Sequence, residues 1–407
     1  MPKSKTKKIE LLAPAGNFEK LEIAIHYGAD AVYLGGKDFS LRNLSGNFSL
    51  EEIKQAVAYA HDRGVKIYVT VNVYARNDEQ PFIAAYLEKL GAVGPDGVIV
   101  ADPGVILTAR ELMPHIPLHL STQANSTNYK TVEFWERLGI RRVNVARELT
   151  LAEIQAIGEQ AQIEIEAFVH GAMCIAYSGR CLLSSFMTNR HSNRGMCTHP
   201  CRWKYALVEE TRAGLYMPIA EDNRGTYIFN SKDLCMIEHI PALINSSVSA
   251  LKIEGRMKGI NYLATVVKVY REAIDRYFQD PMGYDLQPEW LVELTRINRR
   301  GFCTGFYFDD PQQTVPDYDF SMGAETHLFI GKVLTVHDGR ALMEVRNKCR
   351  AGDRVEILSP RHAIRNTCIG DMQDEEGRPI QIARSGTRVY PDLGWKAKPN
   401  DLIRKLI

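Results

Sequence analysis

The sequence predicts an α/β protein: a closed (β/α)8 barrel of the TIM type with a long Cys-rich insertion before its eighth strand, followed by a small all-β barrel domain. Three observations carry that prediction. Between residue 9 and about residue 258, eight short apolar stretches alternate with amphipathic ones, the pattern of βαβ units, and eight is the number that closes such a barrel. Four of the chain's eight cysteines crowd into residues 166–205. From about residue 326 the helical pattern gives way to short alternating runs divided by Asp-Gly and Ala-Gly-Asp turns, as in small all-β domains.

The predicted strands are 9–16, 31–36, 66–74, 97–102, 118–125, 141–148, 163–170 and 250–256. The stretch SLEEIKQAVAYAHDRG shows the helical units between them: Ser49 as N-cap, Glu52 three residues on as the other half of a capping box, Gly64 as the stop. The connections are regular except between strands seven and eight, where about eighty residues hold the cysteine segment. Residues 1–308 are therefore assigned to the barrel with its insert at 171–249, residues 309–325 (rich in Pro and Asp) to a linker, and 326–407 to the β-domain.

Barrels of this type usually fill their interior with aliphatic layers. Here, reading every second residue gives polar faces: His119, Ser121, Gln123 and Asn125 in LHLSTQAN; Tyr68, Thr70 and Asn72 in KIYVTVNV; Glu164, Glu166, Phe168 and His170 in IEIEAFVH; Lys252, Glu254 and Arg256 in LKIEGR. The alternate faces are apolar and suit the surrounding helices. A polar, functional lumen follows, unless the polar faces belong to an open sheet. Glu166, Glu254 and His170 are the catalytic candidates; His170 ends strand seven, where barrel active sites form, though a strand-end histidine also serves structure. Arg42, Arg147, Lys252 and Arg256 lie at strand ends and suit an anion pocket.

At 407 residues, 45% hydrophobic and 24% charged, the composition is that of an ordinary globular protein with room for two domains. No apolar run is long enough for a transmembrane helix. The start, MPKSKTKKIELLAPAG, lacks an export signal, so a cytoplasmic location and reduced thiols are expected. The net charge of +1 neither announces nor excludes a nucleic-acid partner. No GxSxG, HExxH, Walker A or GxGxxG motif occurs.

The cysteine spacing, Cys174-x6-Cys181-x15-Cys197-x3-Cys201-x33-Cys235, points to zinc or an iron–sulfur cluster held by thiolates, with buried unligated cysteines as the alternative. The segments ELLAPAGNFEKLEIAIHYGADAVYLGG, STQAN, EAFVHGAMCIAYSGRCLLS, GMCTHPCRW and LKIEGRMK resemble the U32 peptidase family, the collagenase-like proteases, over nearly the whole chain. The appended β-domain resembles that of its tRNA hydroxylation branch. The resemblance implies a [4Fe-4S] cluster on Cys174, Cys181, Cys197 and Cys235, with Cys201 as alternative ligand and zinc as alternative metal. It further implies oxygen-independent hydroxylation of wobble uridine in tRNA to 5-hydroxyuridine, with prephenate or a similar small dianionic donor as co-substrate. Gln123 and Asn125 would then read the uracil edge. Sulfur or iron delivery proteins or a second copy of the chain are further partners, and no membrane is. The alternatives are a U32-type peptidase, or a hydroxylase of another RNA or aromatic molecule.

Overall fold

A polar side chain opens most of the barrel helices. Asn17, Ser49, Asp102, Asn128 and Thr150 each accept a hydrogen bond from the first turn of the helix that follows, which satisfies amide groups that have no partner within the helix. Ser49 and Glu52 form the expected capping box, with Glu52 N 3.2 Å from Ser49 Oγ and Ser49 N 2.7 Å from Glu52 Oε2. The structure is a computed structural model that describes residues 9–40, 46–173, 176–177, 180–188, 190, 192, 196–198, 200, 207–208, 216–217, 220–222, 225–227, 232–298, 301–308 and 327–407.

The elements run β1 (Glu10–Pro14), α1 (Phe18–His26), β2 (Ala31–Gly35), α2 (Leu50–His61), β3 (Lys66–Val71), α3 (Gln80–Val93), β4 (Gly97–Val100), α4 (Pro103–Leu112), β5 (Leu118–Leu120), α5 (Tyr129–Arg137), β6 (Ile140–Asn144), α6 (Leu151–Gln160) and β7 (Glu164–Ala172). Next come α7 (Leu183–Thr188), β8 (Leu207–Val208), β9 (Tyr216–Met217), β10 (Ala220–Asp222), β11 (Gly225–Tyr227), β12 (Asp233–Cys235) and α8 (Ile240–Asn245). Then follow β13 (Ala250–Ile253), α9 (Ile260–Gln279), α10 (Pro288–Ile297) and β14 (Phe302–Cys303). Strands β1 to β7 pair in order and in parallel, and β13 pairs in parallel with both β7 and β1. The eight-stranded barrel is closed, and β13 is its eighth strand.

The outward faces of the strands join the helices in one large apolar core. Inside the barrel Leu12, Ala31, Tyr33, Tyr68 and Ile99 form a small layer separate from the main core; among the described residues polar and charged side chains, with the Phe168 ring, fill the lumen beside it.

Two departures from strict alternation matter for the site. The strand predicted over 118–125 stops at Leu120, because Thr122–Ala124 wind into a 3-10 turn capped by Ser121. Asn125 ends that turn in the left-handed region, at φ 55°. In β7 the register against β13 slips between Lys252 and Ile253, which face Phe168 and His170 respectively. Val169 is the extra residue of this bulge, and a bulge re-aims the side chains beyond it. His170 therefore sits level with Ile253 of the outer core, not in the lumen as alternation suggested. The same strand runs on to pair antiparallel with β12, His170 opposite Cys235, and β14 adds to β12 with Cys303 opposite Leu234. Gly171 makes the passage feasible: at φ 110°, a Cβ there would lie 2.5 Å from the Glu254 carbonyl oxygen.

The C-terminal domain comprises β15 (His327–His337), β16 (Arg340–Val345), β17 (Cys349–Arg350), β18 (Arg354–Leu358), β19 (Arg365–Cys368), β20 (Met372–Gln373), β21 (Pro379–Ile380), β22 (Ile382–Ala383), β23 (Arg388–Pro391) and β24 (Leu402–Leu406). Its pairings are antiparallel throughout, around a core that includes Ile330, Val333, Met343, Val355 and Ile403. It lies along the barrel's flank. Arg346 and Lys332 reach Glu19 of α1 at 2.6 and 3.0 Å, Tyr27 donates to the Leu358 carbonyl, and buried Arg404 pairs with Glu293 of α10 at 2.8 Å. The predicted linker, 309–325, falls outside the described residues.

Candidate active site in the barrel lumen

The lumen is built in tiers from the amino ends of the strands upward. At the bottom, Arg142 of β6 binds Glu10 of β1 (2.6 Å) and Glu164 of β7 (2.6 and 2.8 Å), while Tyr68 and Lys66 of β3 close on Glu10 at 2.9 and 3.2 Å. Burial works against the Glu10 carboxylate, yet the hydrogen bond and charge of Arg142, with Lys66 and Tyr68, hold its pKa below the ordinary value. This tier plugs one end of the barrel.

Above it, Glu166 and Lys252, both almost wholly buried, meet at 2.7 Å, and Arg142 reaches the other Glu166 oxygen at 3.4 Å. The Lys252 ammonium also lies 4.6 Å from the centre of the Tyr33 ring and 5.5 Å from that of Phe168. Through these contacts Glu166 and Lys252 face inward and belong together.

The upper tier opens at the carboxyl ends of the strands. Gln123 is buried, and its Oε1 accepts from Asn72 Nδ2 (2.7 Å) and Ser121 Oγ (3.1 Å). Those two donors fix the amide orientation, and Gln123 Nε2 is left buried without a partner. Asn144, level with Glu166 in the β6–β7 ladder, has a buried Oδ1 without a partner. Arg147 lies 4.0 Å over the Phe168 ring and donates through Nη1 to the Ala172 carbonyl, and its Nε has no partner. Arg256 is buried and donates to the Thr70 and Ser40 hydroxyls at 3.1 and 2.9 Å. Its guanidinium passes over Gly35, where a Cβ would stand 2.5 Å from Nη1. Glu254 accepts from Tyr33 OH (3.2 Å) and from the Gly255 amide (2.8 Å).

The remaining candidates fall elsewhere. His170 packs its ring among Tyr262, Tyr270 and Phe302, and burial lowers its pKa to about 3. That surrounding suits a neutral structural ring. Asn125 is partly exposed. Arg42, Cys174 and Cys201 lie outside the described residues. Cys181 and Cys197 are half-buried, and Cys235 is buried on β12, where burial pushes its thiol up to about 12. Among the described residues no three His, Cys, Asp or Glu side chains form a group able to hold a metal. The chemistry of the thiol set nevertheless suits a soft metal or cluster, and Cys235 lies on β12 opposite His170 of β7. Residue-by-residue reading missed Asn144 and Arg142, although both lie on the polar alternate face of RRVNV. It also missed Cys303, which strand pairing brings next to Cys235.

His119, beneath Gln123 and edge-on to Tyr68 at 4.6 Å, is held neutral: burial, then the charges of Arg142, Lys252 and Lys66, push its pKa well below 6.5. The unfolded chain takes up a proton at that position below pH 6.5 and the folded chain does not, so stability present above pH 6.5 is lost as pH falls. The slope from this group reaches at most about 1.4 kcal/mol per pH unit. Urea unfolding of wild type and His119→Gln between pH 7.5 and 5 should show a shallower acid limb in the variant.

The family model described as peptidase family U32 matches residues 16–317, and that of the peptidase family U32 C-terminal domain matches residues 325–404. The chain is 43% identical over 408 residues to tRNA hydroxylation protein P1 of Bacillus subtilis, covering 98% of this chain and 95% of that one. It is 37% identical to tRNA hydroxylation protein P of Escherichia coli, covering 97% and 95%. It is 29% identical to a collagenase of Porphyromonas gingivalis, covering 97% of each. No helix among the described residues is long and apolar enough to cross a membrane.

Proposed function

Because the chain belongs to peptidase family U32, we propose that it is a tRNA-modifying enzyme that hydroxylates wobble uridine to 5-hydroxyuridine without dioxygen, taking the oxygen from a prephenate-like dianionic donor. The names of its full-length relatives support tRNA as the substrate. The observation that carries the reading is two buried polar atoms of the lumen that have no hydrogen-bond partner among the described residues: Gln123 Nε2 in the upper tier, and Asn144 Oδ1 level with Glu166. The imide edge of uracil presents carbonyl acceptors flanking an N–H donor; in this reading Gln123 Nε2 donates to a carbonyl and the Asn144 amide meets the N–H. Buried polar groups left unpaired are costly, and a ligand that satisfies them gains that cost back as selectivity. A base in an anticodon loop can be turned out of its stack to enter a barrel mouth.

Arg147 and Arg256 flank that mouth and suit the donor's carboxylates. Glu166 and Glu254 would hold or move a proton at the base, with Lys252 fixing Glu166. Cys174, Cys181, Cys197 and Cys235, or Cys201 in place of one of them, would hold the [4Fe-4S] cluster; zinc fits the same ligands but offers no redox chemistry. When bound, the cluster supplies electron transfer or donor activation.

The test is nucleoside mass spectrometry of tRNA from a deletion strain of the source organism carrying wild type, Gln123→Ala or Asn144→Ala. Hydroxyuridine should vanish on deletion, return with wild type, and fall roughly 10-fold or more with either variant, the loss of one hydrogen bond to the base being worth about 1–3 kcal/mol. Unchanged hydroxyuridine in the deletion strain, together with cleavage of gelatin by the purified protein, would replace this reading with the peptidase one.

A further inference from the structure

A second cationic site lies at the other end of the molecule, away from the lumen. A cavity of about 720 Å3 opens where the turns entering β2 and β3 meet the C-terminal domain. Arg63 and Arg271 line it from the barrel, Arg361 and Lys398 from the β-domain, and its two carboxylates are Asp30 and Asp275. Arg271 engages both of them, with Nη1 2.8 Å from Asp30 and Nη2 2.6 Å from Asp275. That side chain is 8% exposed and lies across Gly28, where a Cβ would stand 2.7 Å from its Cγ; its Nε is buried without a partner.

Arg63, Arg361 and Lys398 are exposed and form no ion pair among the described residues. Arg63 is pre-positioned by a 3.0 Å hydrogen bond to the Tyr59 carbonyl and by its guanidinium lying 3.7 Å over the Tyr59 ring. Arg361 is held in the left-handed region at φ 57°, a conformation that costs a non-glycine residue and persists where the surroundings impose it. Three unneutralised cations on a concave wall create a positive potential that only an anion relieves. The volume is that of a small-molecule site, and Arg with Lys beside an aromatic face is phosphate-recognition chemistry.

We propose that this inter-domain cavity binds a phosphate group, with Arg63, Arg361 and Lys398 as its ligands and Tyr59 as the flanking ring. Two sources present the same chemistry: a backbone phosphate of bound RNA, or a free phosphorylated small molecule. Either would tie the β-domain to the barrel.

The full-length protein tests it with two probes. Inorganic phosphate, compared with chloride at equal ionic strength, should raise the melting temperature of wild type and not that of Arg361→Glu/Lys398→Glu; Arg63→Gln, on the other domain, should reproduce the loss. Bulk tRNA is titrated against the same proteins over a range of salt. If RNA is the source, affinity in the double variant falls at least about 5-fold and the salt slope drops by about 1, for the one backbone phosphate the site holds. If tRNA binding is unchanged while phosphate stabilisation is lost, the source is a free ligand. If phosphate stabilises wild type and variants equally and tRNA binding is also unchanged, the proposal is overturned.

Discussion

Glu166→Ala is expected to lower the free energy of unfolding by about 3–5 kcal/mol, the usual cost of breaking a buried ion pair from one side. Lys252 has its carboxylate partner at 2.7 Å inside the barrel and otherwise lies against the Tyr33 and Phe168 rings. Alanine leaves an ammonium in a water-poor space with only ring faces to meet it. Arg142 is affected less, because Glu10 and Glu164 hold it independently. Urea unfolding followed by circular dichroism reads the loss. The double substitution Glu166→Leu/Lys252→Met removes both charges at similar volume and should recover most of it. That double variant also separates structure from chemistry. Folded yet unable to restore hydroxyuridine, it would show that the pair takes part in the reaction. Folded and active, it would reduce Glu166 to a stabilising role and leave Glu254 as the carboxylate of the site.

Single serine substitutions of Cys174, Cys181, Cys197 and Cys235 should each bleach the anaerobically purified protein, removing visible absorbance and bound iron together, and each should abolish hydroxyuridine formation. Serine keeps the size of the side chain but replaces a soft thiolate with a hard, weakly acidic hydroxyl. Cys303→Ser is the stringent control. Strand pairing sets Cys303 against Leu234, one residue from Cys235, yet it stands outside the proposed ligand set, so iron and colour should survive. Cys201→Ser decides the fourth ligand: if it loses iron while Cys235→Ser keeps it, the cluster is held by the other set. Zinc without iron in protein purified under the same conditions would exclude the cluster.

The barrel was legible because its strands are short, buried on both faces and separated by helices with good caps; the capping box at Ser49 and Glu52 forms as its spacing predicts. Alternation correctly gave the inward placement of Glu166 and Lys252, since a strand's side-chain period is rigid for as long as the strand lasts. It failed where the strand stopped or slipped. Nothing in EAFVH marks Val169 as the extra residue of a bulge, because the bulge arises from β7 having to match β13 below and β12 above. Thr122–Ala124 wind into a turn although STQAN alternates as well as its neighbours do. Arg142 meets Glu10 across 132 positions of sequence, a separation that no local pattern encodes. The adjacency of Cys235 and Cys303 likewise exists only because β14 returns to the sheet after two helices.

The closure of the barrel by β13 has a consequence for the birth of the protein. β13 joins β7 to β1, and roughly eighty residues separate the end of β7 from its start. At a synthesis rate of about 5–20 residues per second, roughly 4–16 s separate the synthesis of β7 from that of β13, and any sheet formed in that time would have β1 and β7 as open edges. Such edges invite pairing with other chains. Delays in translation between codons 173 and 249 would lengthen this vulnerable stage, whereas delays after β13 would fall on a barrel already able to close.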